Sequence, residues 1–345
     1  MKSLDLSLKT THIGSLPYED LEKALEVAFT FDIPAWPQLS KFKEEGMLWQ
    51  FVKNFPGFDL KKERIITQRK TFEEEMLKFY ESYLEVIENK NVSPLKGFLH
   101  YDFSKAFFPF LEKAKSASLP ILKGQITGPF TLGISLKTED EVALIFRDDL
   151  RDLTVKFITL SALAQVYHLK EVSEGVILFI DEPGLSGFGS SAYISLSKDL
   201  VLEMIKEIAT AISQFSAKVG VHVCANTSWD ILLESGIDIL NFDSFSYFDK
   251  FVIYAEKIKE FLGKGGYLAF GAVPTSRELL EKVNEKEVIS RFEAQIKTLG
   301  EALSLKGDKL LKHILITPAC GLGSLPEEFV PKVLALIRSL KEALG

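Results

Sequence analysis

Cysteine is scarce in this chain. Its 345 residues hold two, Cys224 and Cys320, beside four methionines, three tryptophans and five histidines. Two cysteines cannot build the multi-bridge framework on which small secreted domains rely. An excess of basic charge is also lacking: 41 Lys and Arg stand against 48 Asp and Glu, for a net charge of −7 and a pI of about 5.5. No basic stripe stands out, so nucleic acid is not an expected partner. No apolar run approaches the ~18 residues a membrane span needs, and residues 1–9 lack the apolar stretch of a signal peptide. The expectation is a cytoplasmic protein with no membrane partner. Thiols stay reduced there, which makes a Cys224–Cys320 disulfide the weaker reading. Tandem repeats, low-complexity tracts and linkers are missing too, so residues 1–345 are read as one domain.

What is present is an alternation of strand and helix. With 46% hydrophobic and 26% charged residues, the chain has ample apolar side chain for a large core. Short apolar runs bounded by Gly, Pro or Asp predict strands near residues 10, 34, 122, 178, 220, 240, 269 and 315. The run at 34 is the weakest of them, because Pro34 and Pro37 interrupt it. Helical periodicity falls between them, at 20–29, 73–87, 109–115, 139–172 with one break, 200–215, 229–233, 248–262, 287–303 and 327–344. Alternating strands and helices argue for a parallel sheet. Eight units in one chain favour a closed (β/α)8 barrel over an open sheet. Residues 40–120 then form an excursion between the second and third barrel strands, with residues 95–101 read as a strand of an inserted hairpin.

Polar residues fall just after these runs: Ser15, Gln38, Thr127, Asp181, Cys224, Asp243 and Cys320. In such barrels the C-terminal ends of the strands form the active face. Side chains two apart on a strand share a face, so His222 and Cys224 present an imidazole and a thiol together. That pair is half of a zinc site, and Cys320, after another strand, offers a third ligand. The alternative is that both cysteines are small apolar fillers of the core. His12, His100, His168 and His313 read as structural, Trp36, Trp49 and Trp229 as core or groove residues, and Phe245, Tyr247 and Phe248 as loop packing.

Five segments, in order, resemble the catalytic half of cobalamin-independent methionine synthase: Ile13-Gly14-Ser15-Leu16-Pro17, Lys123-Gly124-Gln125-Ile126-Thr127-Gly128-Pro129, Ile180-Asp181-Glu182-Pro183, His222-Val223-Cys224 and Pro318-Ala319-Cys320-Gly321-Leu322. The resemblance runs from residue 13 to residue 322. It implies a zinc-dependent methyltransferase on a (β/α)8 barrel, making methionine from homocysteine. It also implies zinc ligation by His222, Cys224 and Cys320. The family's fourth ligand is a glutamate, and its place here is taken by Asp243, which binds directly, binds through water or does not bind. The backbone at Ile13, Gly14 and Ser15 would take the substrate carboxylate, and Asp181 its ammonium. Gln38 stands where the family has a second acid for the ammonium. The rival reading of Asp181-Glu182-Pro183 is a turn with helix-capping acids.

The sequence departs from the family in three places. It has no second barrel, no tryptophan in Phe130-Thr131-Leu132-Gly133-Ile134-Ser135, and no histidine in Gly271-Ala272-Val273-Pro274-Thr275. These differences disfavour methyl-folate and turn attention to a methylcorrinoid donor, carried by a corrinoid protein as partner. Three alternatives remain: transfer to coenzyme M, a uroporphyrinogen decarboxylase-like enzyme, and a non-catalytic zinc- or corrinoid-binding accessory protein. The decarboxylase would need convergent cations for its substrate carboxylates, and the first 63 residues contain no arginine.

Overall fold

A computed structural model of the protein describes residues 4–344. The strands, in chain order, are β1 (Ser15–Leu16), β2 (Gln38–Leu39), β3 (Phe58–Asp59), β4 (Arg64–Ile65), β5 (Ile121–Thr127), β6 (Gly175–Asp181), β7 (Lys218–Val223), β8 (Ile239–Phe242), β9 (Tyr267–Val273) and β10 (Ile314–Pro318). Strands β5 to β10 pair in sequence order, all parallel, into one six-stranded sheet curled as a half-barrel. Every residue of β5 and β6 is buried, as expected where helices cover one face of a parallel sheet and its own curl covers the other.

Neither edge of the sheet stands bare. Thr10 bridges Ile316 beside β10, Ala35 bridges Lys123 beside β5, and β1 pairs with β2 in parallel. The Ile33 amide donates to the Thr10 carbonyl at 3.0 Å, so the segments near 10 and 34 also touch each other. They carry too little regular pairing to read as full strands. Pro34 and Pro37 lack the N–H that a ladder needs.

The interior of the curl is layered. Leu6, Ile33, Ile121, Ile177, Phe179, Ile239, Ala269 and Leu315 form a separate apolar cluster. These residues alternate along their strands with positions that face the helices. The layer toward the strand C-termini is polar. Lys123, Gln125, Asn241 and Thr317 are fully buried, and His222 is nearly so. Gly220 belongs to this inner face because Phe179 needs the room: a Cβ there would lie 2.2 Å from the phenyl ring.

The excursion between residues 40 and 120 contains a hairpin, but at β3–β4 rather than at 95–101. The latter region is a pair of 3-10 turns, Ser93–Gly97 and Tyr101–Phe103. Pro94 fixes a turn conformation there that a strand cannot use. The helix expected from 139 begins instead at Asp148 and runs unbroken to Lys170. Residues 137–143 form a tight turn, with Glu141 in the left-handed region at φ 65°. The helix expected over 248–262 is two, Ser244–Phe251 and Ala255–Gly263, joined by a 3-10 turn. Phe245 and Phe248 therefore pack from a helix, not from a loop. Among the described residues, no helix is long and apolar enough to cross a membrane.

Candidate metal centre

Three parallel strands and one loop bring the site together. Asp181 of β6 is in register with His222 of β7, and His222 with Asn241 of β8. Cys224 follows His222 by two residues and shares its face. Cys320 comes from the turn after β10, where a register shift at Thr317/Pro318 redirects the chain. The ligand atoms of His222, Cys224 and Cys320 all lie within 4.8 Å of one another. Both cysteines are free thiols.

The donor set suits zinc: one imidazole and two sulfurs, with a fourth tetrahedral position open. The imidazole is disposed for it. His222 is 2% exposed, its Nδ1 bonds Asn241 Oδ1, and its buried Nε2 has no partner. Such an orphaned nitrogen is costly unless something binds it. The thiols are coupled. The neighbouring Cys320 thiol and the His222 imidazole hold Cys224 down at about 4 against burial. Cys320 is correspondingly pushed up by the Cys224 thiolate and by burial. Burial works against a charged His222, but the Cys224 thiolate and Asp181 outweigh it and raise its pKa.

Asp243 lies outside this cluster. Its Oδ1 accepts the Ser246 amide at 2.9 Å as the N-cap of helix Ser244–Phe251. Burial raises its pKa, and the Ser246 bonds oppose that rise.

A cavity of about 420 Å³ opens onto the three candidate ligands. Ile13, Ser15, Gln38 and Asp181 line it, beside His222, Cys224 and Cys320. Gly14 stands behind the wall. Its φ is 147°, and a Cβ would lie 2.7 Å from both Gln125 and Gln38, so only glycine fits. The Asp181 carboxyl is buried and its Oδ1 has no partner. Burial raises it to about 6, with the Cys224 thiolate adding to the rise and His222 and Lys123 opposing it. The capping role weighed for the Asp-Glu-Pro run falls to Glu182 alone. Its carboxylate accepts the Phe130 and Thr131 amides at 2.8 Å, at the start of helix Pro129–Ser135.

Three residues of the site were not singled out from sequence. Glu45 lines the cavity from the excursion and accepts the Leu39 and Lys105 amides. Lys123 is wholly buried, donates to the Ile13 carbonyl at 2.9 Å and lies over the Phe179 ring at 4.4 Å. Asn241 holds His222. For Lys123 and Asn241 a signal existed: each is a polar residue within a strand pattern, Lys123 in company with Gln125 and Thr127 and Asn241 among apolar neighbours. For Glu45 there was none, since its placement depends on the path of an irregular segment. His12 is buried with Nε2 on the Ala35 carbonyl at 3.0 Å, and it does not line the cavity. A search of protein-family models and of curated proteins finds no match to this sequence.

Proposed function

We propose that this protein is a zinc-dependent thiol methyltransferase of the cobalamin-independent methionine synthase type, forming methionine from homocysteine. The barrel would be complete, with the segments near residues 10 and 34 as two irregular strands closing the half-barrel sheet. The observation that carries the reading is the meeting of His222, Cys224 and Cys320, from strands far apart in the chain, around an imidazole nitrogen with no other partner.

In this reading His222, Cys224 and Cys320 hold zinc, whose Lewis acidity lowers the pKa of a thiol toward neutrality. The chain's own residues bind and orient the acceptor. Asp181 takes the ammonium with its free oxygen, and the Ile13–Ser15 turn takes the carboxylate, held in place by Lys123 on the Ile13 carbonyl. Fixing the sulfur in this way supplies proximity. The acceptor sulfur attacks the methyl carbon, and its proton leaves to solvent. A carbon–sulfur bond forms as the bond from carbon to the donor breaks, and that electron pair stays with the donor. A methylcorrinoid donor would keep that pair on its cobalt. A cavity of about 420 Å³ suits a small amino acid and is too small to take in a corrin ring beside it. Among the described residues no Arg or Lys lines the cavity, which argues against a tetrapyrrole polycarboxylate as substrate.

Metal analysis of purified protein tests the site. One zinc per chain is expected, falling to near zero in Cys224→Ser and Cys320→Ser. Equal zinc in wild type and both variants would overturn the reading. Turnover tests the rest: homocysteine with methylcobalamin should yield methionine. Zinc retention with no product from methylcobalamin, a methylated corrinoid protein or methyl-folate would leave a metal-binding accessory protein. Product with coenzyme M but not homocysteine would move the acceptor.

A further inference from the structure

We infer that Asn241 is the positioning residue that fixes which nitrogen of His222 faces the metal, and that it ties the two ligand-bearing strands together. The inference rests on the metal reading above and adds a residue to it.

The direction of three hydrogen bonds fixes the tautomer. Asn241 is wholly buried on β8. Its Nδ2 donates to the Ala269 carbonyl at 2.8 Å and to Thr317 Oγ1 at 2.8 Å. A backbone carbonyl only accepts, so the amide nitrogen must face Ala269. That leaves Oδ1, which only accepts, facing His222 Nδ1. Nδ1 must then carry the proton, and the lone pair of the neutral ring sits on Nε2, the buried nitrogen without a partner. A second bond of this kind commonly orients a metal-binding imidazole and raises its basicity.

The same side chain spans four strands. It joins His222 on β7 to Ala269 on β9 and Thr317 on β10, and Thr317 stands three residues before Cys320. No flip of the amide satisfies all three partners, so the His222 ring and the root of the Cys320 turn are held in one arrangement.

Two substitutions separate tautomer control from simple bracing. Asn241→Asp keeps an acceptor for the Nδ1 proton but loses both donated bonds. Asn241→Leu loses all three. Zinc affinity, measured by competition with a chromogenic chelator, should fall 10–100-fold in Asn241→Leu and much less in Asn241→Asp. Equal losses in both variants, or no loss in Asn241→Leu, would overturn the inference. Nitrogen-15 histidine spectra of the zinc-loaded wild type give a readout that needs no variant. The His222 proton should sit on Nδ1, and a proton on Nε2 would overturn the assignment even if Asn241→Leu failed to fold. The metal reading fails separately, if the wild type with Asn241 intact binds no zinc at all.

Discussion

Asp181 carries a buried carboxyl with one oxygen unpartnered at the edge of a cavity that, among the described residues, no lysine or arginine lines. A ligand ammonium would answer that oxygen directly. Replacing Asp181 with alanine should therefore raise the apparent KM for homocysteine about 10–100-fold, the range of a hydrogen bond to a charged group at ~1.5–3 kcal/mol. Steady-state kinetics with zinc-loaded variant reads the change. An unchanged KM would mean that the ammonium lies elsewhere. At this scale much of the site was legible. Strand-end polar residues declared themselves because each ends an apolar run, and Cys224 and Cys320 because the chain holds no other cysteine. Asn241 and Lys123 were legible only as polar residues within strands. What they do depends on which side chains stand opposite in register, and one strand's sequence does not carry that.

Among the elements, β7 shows how tightly the inner layer is set. Gly220 gives up its side chain so that Phe179 of β6 can fill the curl beneath Lys123. A Cβ at 2.2 Å from a buried ring cannot be absorbed without moving Phe179. Gly220→Ala should cost ~1–3 kcal/mol, the usual penalty of overpacking. A urea titration should show a lower midpoint at unchanged slope. An unshifted midpoint would mean that the ring has room to yield. The six central strands were readable because each is a short run built on Ile, Leu, Val or Phe with a turn signal behind it. The segments near 10 and 34 were readable only as positions. Their pairing is carried by isolated bridges and a two-residue ladder, which no periodicity announces. Residues 95–101 misled because Leu95, Phe98 and Leu99 are apolar, yet they pack from turns rather than from a ladder.

For the whole molecule, pH is a useful probe of the buried polar layer. His12 is held at about 3, first by burial and then by the Lys123 charge, with its bond to Ala35 opposing. Its folded pKa lies below the ordinary 6.5, so the unfolded chain binds the proton first. The stability His12 contributes is present above pH 6.5 and is lost as pH falls from 6.5 toward 3. Glu182, raised to about 7 by burial, acts in the opposite sense. It binds its proton first in the folded state, so stability rises as pH falls from 7 toward its ordinary 4.5. The wild-type curve is therefore a sum, and a comparison with His12→Gln isolates one term. The free-energy difference between the two proteins should be flat above pH 6.5 and then decline by ~1.4 kcal/mol per pH unit in favour of the variant. Parallel curves would mean that His12 protonates within the folded chain.

The bonds between the first and last segments carry a consequence for synthesis. Leu8 and Thr11 donate to the carbonyls of Ile314 and Ile316, the Gly323 amide to Ser15 Oγ at 3.3 Å, and Cys320 arrives 96 positions after Cys224. A growing polypeptide can present His222 and Cys224 long before it owns the third donor. On the metal reading proposed above, an ion would be held by all three donors only once Cys320 has joined the other two. Capture would then be a late event, and a chain stalled before residue 320 should give up an ion to any competing thiol.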